Sequence, residues 1–246
     1  MQIDNKLIKK HFEKSMDKYD KNATVQDLMA SKLIIELEKI SNNFANILEL
    51  GSGTGLLTKR INSHIKYSNF FANDLVEKSK IYVQKIIPKS NFLCGNALKI
   101  KPSKKMDLII SNAMFQWFEN LDKAISIIKL SLNKNGILAF STFSPDNFKE
   151  ITEITGLSLQ YKTQEEIEQI LSNQGFEILY SETFYEEIEF KTPLELLAHM
   201  KNTGVNSLSA KTWTVKKVKD FCDNFSKKYP KTKLTYSPII IIARAK

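Results

Sequence analysis

The stretch Leu48-Glu49-Leu50-Gly51-Ser52-Gly53-Thr54-Gly55-Leu56-Leu57-Thr58 decides the fold. A short run predicted to be a strand, Asn46 to Leu50, ends in a turn with glycine at alternate positions, and a helix-compatible run, Leu56 to Ile61, follows. Glycine lets backbone approach a ligand where a Cβ would collide. The N-terminus of the following helix offers free N–H groups to the ligand's polar end. The spacing is G-x-G-x-G; the dinucleotide fingerprint G-x-G-x-x-G would need glycine where Leu56 stands. No Gly-Lys-Ser/Thr ending follows, which argues against a phosphate-cradling loop. Taken alone, the turn also fits a strand-to-helix connection that holds no ligand.

Outward from this turn, strands alternate with helices. Residues 4–40 read as helix, interrupted around Tyr19–Ala23. Strands are predicted at Asn69–Asn73, Asn91–Cys94, Met106–Ser111 and Ile137–Thr142, with helices at Glu77–Ile87 and Leu121–Leu132 and a turn at Asn135-Gly136. Such alternation predicts a parallel α/β sheet. Farther on, Thr163-x-x-Glu166 has the form of a capping box, with Gly175 placed to end that helix. Phe176–Phe190 is long and β-prone. Thr192-Pro193 starts a helix that Gly204 would terminate, Thr214–Lys228 is an amphipathic helix, and Lys233–Arg244 is the last strand. With no repeat and no linker, residues 1–246 are expected to form one domain. Residues 1–40 are expected to form a helical cap segment, and 143–232 to contain a cap insertion and the C-terminal elements.

Composition narrows the class. At 42% hydrophobic and 26% charged residues, the 246-residue chain has the make-up of a soluble globular protein. Met1 to Lys14 is charged throughout and lacks the apolar core of a signal peptide, and the aliphatic run Ile239–Ile242 is too short to span a bilayer. A cytoplasmic location with no membrane partner is expected, and Cys94 and Cys222 read as reduced thiols. His11, His64 and His199 have no metal-ligand spacing, so no metal is expected. The net charge of +9 is nearly all lysine and is scattered. It fits either an acidic partner or mere base composition, and no nucleic-acid module or basic tail accompanies it.

Ligand contacts in a doubly wound sheet fall at the carboxyl ends of strands. Asp74, about twenty residues beyond the glycines, could accept hydrogen bonds from two ribose hydroxyls of NAD or S-adenosylmethionine (SAM), or cap the next helix. Asn96-Ala97 and Ser111-Asn112 end the third and fourth strands.

Glu49 before the first glycine completes a pattern that resembles motif I of class I SAM-dependent methyltransferases. Asn112-Ala113-Met114-Phe115-Gln116-Trp117 resembles the segment after the fourth strand in the malonyl-[acyl-carrier-protein] O-methyltransferase family. Phe12, Tyr19-Asp20, Ala23 and Gln26 are similar to that family's N-terminal pattern. Glu165 to Gln169, Met200-Lys201-x-x-Gly204, and Tyr229-Pro230 through Leu234-Thr235-Tyr236 to Arg244 resemble its C-terminal half. The resemblance covers almost the whole chain. The Gln116-Trp117 segment is shared with methyltransferases of small acids such as trans-aconitate.

The resemblance implies a Rossmann-like fold: a seven-stranded, mostly parallel sheet with an antiparallel last strand and a helical cap. It implies methyl transfer from SAM, leaving S-adenosylhomocysteine, to the free carboxylate of malonyl-acyl carrier protein early in biotin (pimeloyl) synthesis. The partner is then an acidic carrier; separately, the chain is expected to be a monomer. A carboxyl methyltransferase of a free small acid and a non-catalytic SAM-binding scaffold are the alternatives. Cofactor contacts are implied at Gln26, Glu49, Gly51, Ser52, Gly53, Gly55, Asp74, Leu75, Asn96, Ala97, Ser111 and Asn112. Many methyltransferases carry Asp where Asn96 stands; its side-chain oxygen can still accept from an adenine amino group. No general base is assigned. Tyr19, Gln116 and Lys201 are candidates for orienting the carboxylate, and Trp117 and Tyr236 for walling the acceptor pocket. Read without the resemblance, Tyr19 and Trp117 are packing residues, Lys201 a solvated lysine and Tyr236 a strand residue facing solvent.

Overall fold

The structure, a computed structural model, describes residues 5–203 and 213–246. Five parallel strands come first: β1 (Asn43–Leu50), β2 (Lys66–Asp74), β3 (Asn91–Cys94), β4 (Met106–Ser111) and β5 (Leu132–Phe143). Their helices are α3 (Leu56–His64), α4 (Ser79–Ile86) and α5 (Leu121–Lys129), with α1 (Asn5–Asn22) and α2 (Thr24–Ile40) preceding the sheet. After β5 come α6 (Lys149–Thr155), α7 (Gln164–Asn173), β6 (Phe176–Thr183), β7 (Glu186–Glu189), α8 (Pro193–Asn202), α9 (Val215–Lys228), β8 (Lys233–Tyr236) and β9 (Pro238–Ala245).

Seven strands form one sheet in the order β3-β2-β1-β4-β5-β9-β6, and β7 pairs with β8 separately. β9 runs antiparallel to both β5 and β6. The sheet is therefore mostly parallel with an antiparallel last strand, as the sequence resemblance implies. Strand order reverses between β1 and β4, whose ends align at Leu50 and Ser111. That reversal opens a crevice beyond the carboxyl ends of the strands. Leu108, Ile109 and Ile110 are fully buried, the behaviour of a central strand covered on both faces. One core lies between the sheet and α2, α3 and α4; another lies under α5 and α7. A third joins Val25 and Met29 of α2 to Phe148, Leu196, Phe225 and Tyr236, and builds the cap.

Local signals account for most boundaries. Thr163 and Glu166 close the capping box reciprocally. Thr192 and Thr214 cap α8 and α9 by accepting from Glu195 N and Lys217 N. Gly204, expected to end α8, lies outside the described residues.

Four expectations need correction. Phe176–Phe190 is two strands in different sheets. Lys233–Arg244 also divides, at Ser237-Pro238. The residue before proline is driven to extended backbone; Ser237 N there donates to Asn147 Oδ1, which pins the chain between sheets. Asn135-Gly136 does not turn a helix into a strand. It sits inside β5, with Asn135 left-handed (φ 63°) at an irregularity where Met106 and Leu108 pair with Leu132 and Ile137. Helix α6 was not expected at all.

Candidate active site

The crevice is a cavity of about 690 Å³, within the usual range for cofactor sites. The loop after β1 supplies Gly51, Ser52 and Gly53; the loop after β2 supplies Asp74, Leu75 and Val76; Asn96 and Ala97 follow β3. Asn112, Gln116 and Trp117 follow β4, while Phe143 ends β5 and Asn147, Phe148 and Tyr161 come from the segment after it. Tyr19 and Gln26 reach it from the N-terminal helices.

At the cofactor end, geometry explains the turn. Gly53 has φ +53°, and a Cβ there would come within 3.0 Å of Phe12 Cζ, so α1 lies directly over the turn. Asp17 holds that helix to α4 through Lys78 and Tyr82, both at 2.9 Å, and Asp20 accepts from Thr54 Oγ1 at 2.5 Å. Asp74 accepts from Gly53 N and Val76 N at 2.8 Å, which fixes its carboxylate while leaving lone pairs for a ligand. Burial pushes its pKa up despite these bonds. Glu49, fully buried, is pushed up to about 8 by burial and by the nearby Asp74 charge, against the hydrogen bond from Thr58 at 2.6 Å.

Several implied contacts are placed differently. Gly55 (φ +80°) does not line the cavity; its missing Cβ would meet Ile86 Cδ1 at 2.6 Å, so this glycine lets α3 pack on α4. Ser111 is buried beneath the site and ties β4 to β1 by donating to Leu50 O at 2.8 Å. Asn96 lines the cavity, but its Oδ1 already accepts from Leu98 N. Asn112 also lines it, while its amide accepts from Ser141 Oγ and donates to Gln26 O, locking α2 to the sheet.

The acceptor end differs from expectation in two residues. Lys201 is exposed on α8 and does not line the cavity; the buried face of that turn carries His199 and Met200 instead. Tyr236 is fully buried behind the wall rather than in it. Its hydroxyl lies 2.7 Å from His199 Nε2, and its ring packs edge-on against Phe148, which does face the cavity. Burial holds His199 below its ordinary pKa, so the pair is neutral at neutral pH.

Trp117 and Gln116 do face the cavity, because Phe115 between β4 and α5 is driven into the core and stacks on Phe140 at 4.0 Å. Tyr161 and Asn147 are lining residues that sequence reasoning missed. Asn147 Nδ2 donates to Tyr161 Oη at 3.1 Å, and burial pushes Tyr161 up to about 12. Tyr19 is raised as well, by burial and by the Asp20 and Asp74 charges. Both phenols therefore stay protonated and keep an O–H able to donate. Two of the non-glycine residues with positive φ, Ala113 and Phe148, line this region, as is common where a site constrains its backbone.

The residues fit SAM. Ser52 Oγ and Gln26 Oε1 are buried at the cavity without partners, and a zwitterionic nucleoside has donors and acceptors to meet them. Asp74 would take the ribose, the Gly51–Gly53 backbone would lie against the cofactor, and Glu49 would face positive charge. When bound, the cofactor supplies an electrophilic sulfonium methyl. Among the described residues, no cluster of three His, Cys, Asp or Glu is arranged to hold a metal.

Fold and site together define a class I SAM-dependent methyltransferase. The family model described as a methyltransferase domain matches residues 22–181. The N-methyltransferase NodS of Bradyrhizobium japonicum, solved with S-adenosyl-L-homocysteine, superposes with a TM-score of 0.53 at 12% identity, covering 88% of this chain and 85% of that one. A malonyl-[acyl-carrier protein] O-methyltransferase of Haemophilus influenzae is 34% identical, covering 98% of this chain and 95% of its own. One from Calditerrivibrio nitroreducens is 36% identical, with 95% and 94% covered. The chain belongs to the malonyl-[acyl-carrier protein] O-methyltransferase family.

Proposed function

We propose that this protein transfers the methyl group of SAM to the free carboxylate of a malonyl thioester held on an acidic acyl carrier protein, giving the methyl ester. The observation that carries this reading is the full-length match to relatives of that name, which extends through the cap that builds the acceptor end. On this reading the chain acts as one monomeric domain, with residues 1–40 and 143–232 contributing the cap.

The chemistry of the acceptor end supports it. A carboxylate with a pKa near 4 is already ionised at neutral pH and needs no base. Tyr19 and Tyr161 are held protonated, which suits them to donate to a carboxylate rather than to take a proton. Asn147 orients Tyr161 by donating to its hydroxyl. Catalysis then consists of holding the carboxylate oxygen in line with the sulfonium methyl and excluding water.

The test is a methyl-transfer assay comparing malonyl-carrier protein, malonyl-CoA, free malonate and aconitate. Malonyl-carrier protein should be preferred, and the single-turnover rate should be nearly flat from about pH 6 to 8. A rate rising tenfold per pH unit would point to an acceptor that must lose a proton. Turnover of a free acid alone would make the protein a small-acid methyltransferase. SAM binding with no turnover on any donor would make it a scaffold.

A further inference from the structure

A second cavity, of about 410 Å³, lies between the segment after β4 and the start of α7. It shares Gln116, Phe118, Glu119, Asn120, Phe143, Leu159 and Tyr161 with the main cavity, so one wall of side chains faces both. None of the glycine turn and none of Asp74 lines it. It therefore extends from the acceptor end, away from the cofactor. Ile167 and Ile170 of α7 give it an apolar side, Glu119, Asp122 and Lys162 put charge on the rest of its lining, and the exposed Gln160 stands at its rim.

The shared wall carries an unmet polar atom. Gln116 Nε2 donates to Ala113 O at 2.6 Å, while Gln116 Oε1 is buried and has no partner. A backbone carbonyl can only accept, so the amide nitrogen must face Ala113 and the oxygen is what remains. A buried acceptor calls for a donor. The reacting carboxylate has none at neutral pH. An amide N–H farther along the acceptor does.

We propose that the second cavity is the subsite for the acceptor's non-reacting arm: an amide-bearing thioester chain, with one N–H donating to Gln116 Oε1. The apolar side takes the methylenes of the arm, and the shared wall sets its thioester beside Tyr161. Gln116 thus reads the arm, and orienting the carboxylate falls to Tyr19 and Tyr161. This subsite rests on the malonyl thioester reading.

Three donors separate the terms: malonyl-CoA, malonyl-N-acetylcysteamine with a single amide, and the S-ethyl thioester of malonate with none. Ile170→Trp fills the second cavity. Gln160→Trp crowds its exposed rim and guards against a folding defect in the first variant. Each variant should lower kcat/KM for malonyl-CoA at least tenfold relative to the S-ethyl donor, with SAM affinity unchanged. Gln116→Leu should lower kcat/KM for both amide-bearing donors while the S-ethyl donor changes less. Equal losses on all three donors, or no loss on any, would overturn the subsite while leaving the malonyl reading intact. A changed SAM affinity in Gln116→Leu would instead give that oxygen to the cofactor and overturn the assignment. A wild-type protein inactive on all three donors and on malonyl-carrier protein would overturn both readings.

Discussion

The two ends of the cavity are built on different principles. The cofactor end is made by the backbone at the carboxyl ends of adjacent parallel strands: a glycine turn, an acidic strand end and the reversal of strand order between β1 and β4. The acceptor end is made by side chains from four distant segments: Tyr19, Gln116-Trp117, the stretch from Phe143 to Tyr161, and Thr203. The first depends on positions only a few residues wide, held by sheet register. The second depends on how the cap packs around Phe148, Leu196, Phe225 and Tyr236. A substitution at one end should therefore leave the other intact, and paired substitutions test that division.

Asp74→Ala should have the largest effect. It removes a buried carboxylate poised for two hydroxyls, a loss of about 1.5–3 kcal/mol or roughly 10- to 150-fold in SAM affinity. Tyr161→Phe should do the reverse. SAM affinity should hold, and kcat/KM for the malonyl donor should fall by roughly 2- to 12-fold, the value of about 0.5–1.5 kcal/mol for one hydrogen bond. Calorimetric titration beside initial-rate kinetics reads both. If Tyr161→Phe weakened SAM as much as Asp74→Ala does, the two ends would be one coupled unit.

The same contrast explains what the sequence made legible. Alternating strands and helices, the glycine turn and Asp74 follow from local composition and spacing, so the sheet and the cofactor end could be read in advance. Gly55 and Ser111 belong to those motifs but serve packing, because motif membership does not say which way a residue faces. Lys201 has the right chemistry for a carboxylate, but the helical phase of α8 buries His199 and Met200 and leaves Lys201 outside. Tyr161 and Asn147 carried no signal beyond lying after the fifth strand; long-range contacts, Ser237 N to Asn147 and Phe143 against Tyr161, place them at the cavity. Gln160 and Ile170, which line the second cavity, were equally silent.

Glu49 sharpens the comparison through pH. Its pKa is raised to about 8 in the folded protein, against an ordinary value near 4.5. Between those values the folded state keeps a proton that the unfolded state loses, so this group lowers stability as pH rises from about 4.5 to 8. A cationic cofactor favours the ionised form and so draws the proton off on binding. SAM affinity should therefore increase from about pH 6 to 8, by less than tenfold per unit, the limit for one proton. Glu49→Gln should reduce that slope; any slope it retains belongs to Asp74, whose pKa is also raised by burial, or to the ligand's own amino group. The pH profile of acceptor KM should be the same in both proteins, since the groups that act on Glu49, Thr58 and Asp74, belong to the cofactor end.

The smallest effects should come from the lysines outside both ends. Lys201→Ala should leave the single-turnover rate on malonyl-CoA unchanged, since the side chain is exposed and away from the cavity. A large loss would mean that the cap closes Lys201 over the acceptor during catalysis. Lys216, Lys217 and Lys219 are exposed near the start of α9, whereas Lys211, of the same lysine-rich stretch, lies outside the described residues. Exposed charges act weakly one at a time, but several together raise the association rate with an acidic partner in a salt-dependent way. Replacing all three by glutamate should slow turnover of malonyl-carrier protein severalfold at low salt. That difference should shrink as salt is added, and malonyl-CoA should be spared. Equal rates on the carrier substrate at low salt would remove α9 from the docking surface. The net charge of +9 would then need no partner to explain it.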